Sequence, residues 1–386
     1  PSLMRVVVVG GGIVGLASAY YLADRGVDVT VLEKGSLGGG STGRANGGIR
    51  AQFTSAVSVA LSRESVRVWE RFGETFGVDI GYRRPGYLFL LRRAETARRF
   101  REHVALQNDH GVPSEFLAPE AAVEHCPGLR PESYAGATYC PTDGFADPHL
   151  ALQGFSRAAT RAGAEVRTGV EVTDVRVVDG GVRGVETTDG SHDADFVVNA
   201  AGPWAASVGA MAGLDLPVSP RRRQLLVAEP ERPVPGDVPL TVDVDDGVHF
   251  RPERAGRAVV GGRFGGADPE QDPDRYRRSN DVDWAVETLE HASGVADYFG
   301  PETELVGGWA GLYAVTPDHH PVIEETLPGL VNAVGFSGHG FMQSPATGRV
   351  VAELVLDGEA RTVDVSPLAA DRFSRGEALS EGSVVD

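Results

Sequence analysis

Two cysteines and one lysine are all that 386 residues contain of either type. Cys126 and Cys140 are too few and too poorly spaced for a disulfide framework or a zinc site, so no metal is expected and a reducing cytoplasm fits. Long apolar runs are missing too: Val6–Val9 is short and breaks at glycine, which excludes a membrane span. With the first strand starting at Arg5, no secretory leader is expected. Lys34 is the lone lysine, and arginine supplies nearly all the remaining positive charge. Asp and Glu number 54 against 36 Lys and Arg, a net charge of -18, which argues against nucleic acid and anionic lipid as partners. High acidity with lysine depletion also reads as adaptation to concentrated salt, a halophilic signature in which salt screens carboxylate repulsion. Arginine-biased codon usage explains the lysine loss equally well but not the acidity. There is no internal repeat and no low-complexity linker. At this length two domains sharing an extensive core are expected.

What is present begins at once. The apolar strand Arg5–Val9 runs into Gly10, Gly11, Gly12, Ile13, Val14 and Gly15, and a second apolar run, Val29–Leu32, ends at Glu33. Gly10 permits the tight turn, Gly12 lets a pyrophosphate approach the backbone, and Gly15 lets the following helix press on the sheet. The phosphates then meet unpaired N–H groups at a helix start. Glu33 can accept both ribose hydroxyl protons and would repel a 2′-phosphate, favouring FAD or NAD over NADP.

The glycine-rich stretch 35–48 follows a strand and precedes a helix expected over about 57–76, so it reads as a ligand-hugging loop. Strand character recurs at 86–91, and helices are expected over 94–110 and 148–162. Strands follow at 165–167, 170–178 and 182–187, the last two joined by a hairpin at Asp179–Gly181. Phe196–Gly202 reads as a buried strand and tight turn returning the chain to the first sheet. From about 217 to 321, β runs (224–228, 248–251, 258–262) and a helix near 281–298 indicate an antiparallel sheet with helices beside it. Leu330–Val334, the glycine turn 335–341 and a helix from about 345 to 356 repeat the strand, turn, helix logic.

Five segments together resemble the D-amino-acid oxidase, glycine oxidase and sarcosine oxidase family of flavoproteins over nearly the whole chain. They are the N-terminal glycines with Glu33, then 40–50, 199–204, 309–318 and 335–342. Gly48–Arg50 with Gln52 and Phe53, Tyr87–Leu91, and Pro141–Gly144 with Ala146–Pro148 look most like the β subunits of heterotetrameric sarcosine oxidase and of dye-linked L-proline dehydrogenase. The resemblance implies an α/β fold: a discontinuous Rossmann-like FAD-binding domain (1–80, 141–216 and 322–386) and a mixed, largely antiparallel substrate domain (81–140 and 217–321). It implies that Gly10, Gly12, Ile13, Val14 and Gly15 face the pyrophosphate, Glu33 and Lys34 the adenosine, and Gly40, Ser41, Thr42, Asn46, Gly47 and Gly48 the phosphates and ribityl chain. Val172 would meet adenine, and Ala200, Gly202 and Trp204 would pass close to the cofactor. Gly338, His339, Gly340, Phe341 and Met342 would lie by the pyrimidine side of the flavin, His339 being most simply a structural residue.

Arg50 stands where related sarcosine oxidases bind the substrate carboxylate, a task suited to a fixed guanidinium fork. Tyr313 matches a tyrosine that lines the substrate site, while Arg223 and His249 are weaker candidates on the strands expected to roof it. The implied reaction is hydride transfer from Cα of a small amino acid, of the sarcosine, proline, glycine or D-amino acid class, to flavin N5, with the imine hydrolysed or released. Two departures matter. Gly311 replaces the cysteine that tethers flavin in monomeric sarcosine oxidases, so FAD is expected noncovalently, and the lysine used there for oxygen activation aligns near Val259. A dehydrogenase passing electrons to a quinone, dye or partner subunit is therefore at least as well supported as an oxidase, although Arg223 or Arg263 could supply the cation. The alternatives are an FAD-dependent 2-hydroxy-acid or glycerol-3-phosphate dehydrogenase, which would need a base such as His249, and an electron-relay subunit of a complex.

Overall fold

Val6–Val9 carry four branched apolar side chains in a row, and all four are buried, as a strand covered on both faces requires. The strand Arg5–Val9 lies at the middle of a six-stranded sheet, parallel to Asp28–Glu33 on one side and to Phe196–Asn199 on the other. Glu165–Thr168 extends the first edge in parallel, and Leu330–Val334 with Val322–Leu327 completes the other, the last pair antiparallel. The computed structural model describes residues 4–383.

The helix Ile13–Asp24 packs on this sheet between Gly340–Asp357 and Pro148–Arg161. Gly15 permits the contact, since a Cβ there would sit 2.0 Å from the Gly10 carbonyl oxygen. Trp69, Phe72, Phe76 and Phe155 seal the outer side of these helices. Asn199, wholly buried, bridges Asn332 Oδ1 at 2.9 Å and the Ala205 carbonyl at 3.1 Å, so the polar group at the strand's end is satisfied where the chain turns.

An eight-stranded sheet forms the second layer, in the order Glu304–Val315, Ser219–Glu229, Ala258–Gly262, Val248–Pro252, Leu240–Asp243, Tyr87–Leu91, Gly136–Cys140 and Glu115–Leu117. Every pairing is antiparallel except Leu240–Asp243 with Tyr87–Leu91. The helices Val282–Val295 and Ala94–Asp109 flank it. A separate meander, Val172–Val178, Gly181–Thr187 and Gly190–Asp193, turns at Asp179 and Gly180, both in left-handed conformation (φ 51° and 77°), as the hairpin signal requires.

Three sequence expectations change. The helix expected over 57–76 is two, Ala56–Glu70 and Phe72–Phe76, because Arg71 leaves helical geometry. The strand expected at 224–228 runs over Ser219–Glu229, carrying Arg221, Arg222 and Arg223 inside it. The last long helix starts at Gly340, not Pro345. Proline has no N–H to give the carbonyl one turn back, and the Ser344 hydroxyl takes that place, donating to Phe341 O at 2.9 Å.

Candidate active site

Between the two sheets runs a cavity of about 710 Å³, and every site residue expected from the sequence lines it except Gly15. Gly15 acts one layer back, locking helix to turn as described. Gly10 has φ +111°, and a Cβ there would meet the Ala200 carbonyl oxygen at 2.5 Å. A Cβ on Gly12 would meet only Thr42 Oγ1, at 3.4 Å, so its backbone faces the cavity at the helix start. That helix has no side-chain cap and no acidic residue in its first turn, and only Ile13 N is engaged by a hydroxyl, Thr42 Oγ1 at 3.1 Å. An anion is what such an end attracts.

Glu33 is held ready at the end of its strand. Gly11 N donates to one carboxylate oxygen at 2.9 Å and Gly35 N to the other at 2.7 Å. Lys34 Nζ reaches Asp274 at 2.7 Å and lies 4.9 Å over the Trp204 ring, while Trp204 Nε1 donates to Asp274 at 3.1 Å. Asp274 gave no signal in the sequence; it comes from the segment between Gly262 and Val282. Ser41 spends its hydroxyl proton on Leu312 O at 2.7 Å, tying the glycine-rich loop to the second sheet. Val172, Ala200 and Gly202 line the nucleotide side, as do Gly40, Asn46, Gly47 and Gly48. Trp69 Nε1 donates to Met342 O at 2.9 Å, and the Phe341 ring stacks 5.1 Å from that indole, which fixes the first turn of the Gly340 helix.

At the other end stands Arg50. It follows a two-residue strand, Gly48–Ile49, which pairs with Gly144–Phe145. The next residues are pinned by Asp143, which accepts from Ala51 N at 2.8 Å and from Gln52 Nε2 at 3.2 Å. Arg50 is only 4% exposed, with its guanidinium 3.9 Å from the Phe53 ring centroid and 5.3 Å from that of Phe89. Nη1 donates to Gln52 O and to Ser383 Oγ, and Nη2 to His339 Nε2 at 3.1 Å. Burial pulls its pKa below the usual value, and the neighbouring Glu381, Tyr87, Asp143 and Tyr313 oppose that pull.

Arg223 is locked to Asp268 by two N–H bonds of 2.9 and 3.1 Å and lies 5.4 Å from the Tyr313 ring. Burial, helped by Arg251, pushes His249 down to about 4, so this imidazole is neutral at pH 7. Gly311 pairs with Arg223 across the strands, and neither cysteine reaches the cavity. Val259 is buried in its strand away from the cavity, whose cations among the described residues are Lys34 and arginines. Sequence reasoning missed Arg44, Arg278, Trp309 and Ser383 on its wall. Arg44 and Trp309 lay inside quoted segments, but nothing local marks Ser383.

The comparisons with known proteins agree with this architecture. The family described as FAD dependent oxidoreductase matches residues 5–354. Glycine oxidase of Geobacillus kaustophilus (strain HTA426) is 31% identical over 377 residues, covering 95% of this chain and 96% of the relative. Sarcosine oxidase subunit beta of Arthrobacter sp. is 29% identical, covering 97% and 92%. The crystal structure of L-proline dehydrogenase from P. horikoshii superposes with a TM-score of 0.88 at 34% identity, covering 98% and 99%. No helix among the described residues is long and apolar enough to cross a membrane.

Proposed function

The chain belongs to the FAD dependent oxidoreductase family, and from that premise we propose that it oxidises a small amino acid of the sarcosine, proline, glycine or D-amino acid class. The observation that carries this reading is Arg50: a buried guanidinium, braced by aromatic rings, on the wall of the same cavity that Gly10, Gly12 and Glu33 line. The cradle fits FAD through the exposed Gly12 backbone, the uncapped helix and the amide-held Glu33 carboxylate. When bound, the flavin supplies a two-electron acceptor for the hydride of the substrate's Cα.

The chain's own residues bind and orient. Arg50 fixes the carboxylate, Tyr313 and His339 border it, and the strands bearing Arg223 and His249 shield the amine from bulk water, which favours its neutral, reactive form. His249 also speaks for an amine over a 2-hydroxy acid or glycerol 3-phosphate. A base whose conjugate acid has a pKa of about 4 takes a hydroxyl proton poorly. FAD is proposed noncovalent at Gly311, and the domain limits 81–140 and 217–321 for the substrate part belong to the same proposal, as does a cytoplasmic site of action.

For the electron acceptor the reading favours a quinone, dye or partner subunit over O₂. Lys34 is engaged at the nucleotide end and Arg223 is paired with Asp268, so neither stands as an unpaired cation for nascent superoxide in the way the lysine of the monomeric oxidases would. Two measurements test these statements. Anaerobic bleaching of the flavin by sarcosine, proline or D-alanine, but not by lactate or 2-hydroxyglutarate, is expected, with Arg50→Ala losing the response to acids and keeping it toward uncharged amines. Slow reoxidation of the bleached enzyme in air is expected; rapid reoxidation would make it an oxidase.

A further inference from the structure

The hydrogen bonds of Arg50 contain a conflict with its task. A two-pronged grip end-on, for a carboxylate arriving from the cavity wall where Ser383 stands, uses one N–H from each terminal nitrogen of the fork. Both N–H groups of Nη1 are spent, one on the Gln52 carbonyl and one on Ser383 Oγ at 2.9 Å, while Nη2 already donates to His339 Nε2. The Gln52 carbonyl is fixed, because its residue is clamped by Asp143, by Tyr87 O (3.1 Å) and by Thr138 (3.0 Å). Phe53 and Phe89 flank the guanidinium, so a ligand has no second approach over its faces. Of the two acceptors on Nη1, the hydroxyl is the one that can leave.

Ser383 is not alone there. Its Oγ donates to the Glu381 carboxylate, whose side chain is 1% exposed, and Glu381 is foremost among the groups that support the Arg50 charge. The hydroxyl thus relays a buried anion to a buried cation. The segment is held from one side by Thr54, only four residues beyond Arg50: Thr54 Oγ1 donates to Ser380 O at 3.0 Å, Gly382 N donates to Thr54 Oγ1 at 3.0 Å, and Thr54 N donates to Glu381 at 3.3 Å. An arriving carboxylate meets Glu381 as a like charge across a single hydroxyl.

We propose that Ser383 is a place-holder on the Arg50 guanidinium, that a substrate carboxylate displaces it, and that the segment Ser380–Ser383 withdraws with it. The segment then sets affinity and admits substrate, keeping the buried cation partnered between turnovers. This rests on Arg50 being the carboxylate-binding group.

The test uses the FAD-loaded full chain, with acetate as the probe and acetamide as its uncharged control, read by perturbation of the flavin absorbance. Removing the competitor in Ser383→Ala is expected to tighten acetate binding about tenfold to a hundredfold, the scale of one hydrogen bond to a charged group, and to leave acetamide unmoved. Glu381→Gln should tighten acetate in the same sense. In the unaltered protein, saturating acetate should speed deuterium exchange at the amides of 380–383, a measurement that does not depend on any variant folding. Acetate affinity unchanged or weakened in Ser383→Ala, or slower exchange in that segment with acetate bound, overturns the place-holder. Arg50→Gln separates the two ideas: if it still binds acetate, the carboxylate reading itself fails, whereas loss of binding in Arg50→Gln with an unmoved Ser383→Ala defeats the place-holder alone.

Discussion

Arg372 and Asp318 face each other as a two-pronged ion pair, Nε to Oδ2 at 2.8 Å and Nη2 to Oδ1 at 3.0 Å, with both side chains no more than 2% exposed. The remaining donors of Arg372 go to the carbonyls of Leu368, Ala369 and His320, and Asp318 accepts further from Leu379 N and His320 N. Burial works to raise the Asp318 pKa, but these donors outweigh it and hold it below the ordinary carboxylate value. Arg372→Met would leave a buried, unpaired carboxylate. A loss of about 3–5 kcal/mol in urea unfolding at pH 7 is expected. A depressed carboxylate stabilises above its unfolded pKa and loses that contribution as pH falls through the folded one. The deficit of the variant should therefore shrink below pH 4, and a deficit that stays constant into acid would contradict this pairing.

His249 has the opposite sense of titration from the common histidine that gains a partner. Its folded pKa of about 4 lies below the unfolded value. Between those values the unfolded chain binds a proton that the fold refuses, so stability is full above about pH 6.5 and declines toward pH 4. The complete shift corresponds to about 3 kcal/mol, trimmed to about 2 kcal/mol because the ring borders a cavity that admits water. Asp143 opposes it: burial outweighs its donors Ala51 and Gln52 and raises its pKa to about 6, so its contribution falls as pH rises from 4 to 6. The protein therefore has a flatter acid limb than either group would give alone. His249→Asn removes one side of the balance. Going from pH 7 to pH 4, the variant should lose about 2 kcal/mol less than the parent protein; parallel stability curves would show that this imidazole titrates normally.

Legibility of the sequence followed the range of the interactions. Gly10, Gly12, Gly15 and Glu33 act within one strand, helix, strand unit, so their spacing alone carried their places. Asn199–Trp204 was readable for the same reason, as a polar stop to a buried strand. Arg71 was not, because the apolar period continues across it from Trp69 to Phe72 while the backbone breaks. Arg221–Arg223 hid the start of a strand, since three adjacent charges carry no apolar alternation to extend the 224–228 run, and only the fold brings up Asp268 and Asp281 to pair with Arg223 and Arg222. Ser383 lies 333 positions from Arg50 and reaches it along a segment tied down by Asp318 and Thr54. Three separate long-range contacts had to form first, and no local pattern encodes them.

Lys34, Asp274 and Trp204 form a latch at the nucleotide end, joining the first sheet to the segment between Gly262 and Val282. Lys34 and Asp274 are 33% and 54% exposed at the side chain, so the pair contributes at most about 1 kcal/mol. Asp274→Asn keeps the Trp204 hydrogen bond and removes the charge. FAD release from the variant should be up to about fivefold faster at low ionic strength, and the difference should fade by 0.5 M salt as the parent's pair is screened. Release at the same rate in both proteins at low salt would show that the latch does not retain the cofactor.

Salt acts on the whole surface in two opposing ways, and their sizes decide the outcome. Exposed pairs such as Arg5 with Asp193, Arg67 with Glu64 and Arg257 with Glu229 weaken when screened, by less than about 1 kcal/mol each. Carboxylates nevertheless outnumber basic residues, leaving a net charge of -18 whose mutual repulsion is relieved by the same screening. The pairs are short-range and partly self-screened, whereas the repulsion is summed over the whole surface, so relief should dominate once the Debye length drops to a few ångströms. Melting is expected to rise by about 5 °C or more between dilute buffer and 2 M KCl, corresponding to about 3 kcal/mol at roughly 2 °C per kcal/mol. Chloride is the right anion for this measurement, because sulfate would stabilise almost any fold by exclusion from its surface. Equal melting temperatures at both KCl concentrations would assign the lysine loss to codon usage and leave the acidity without a role in salt tolerance.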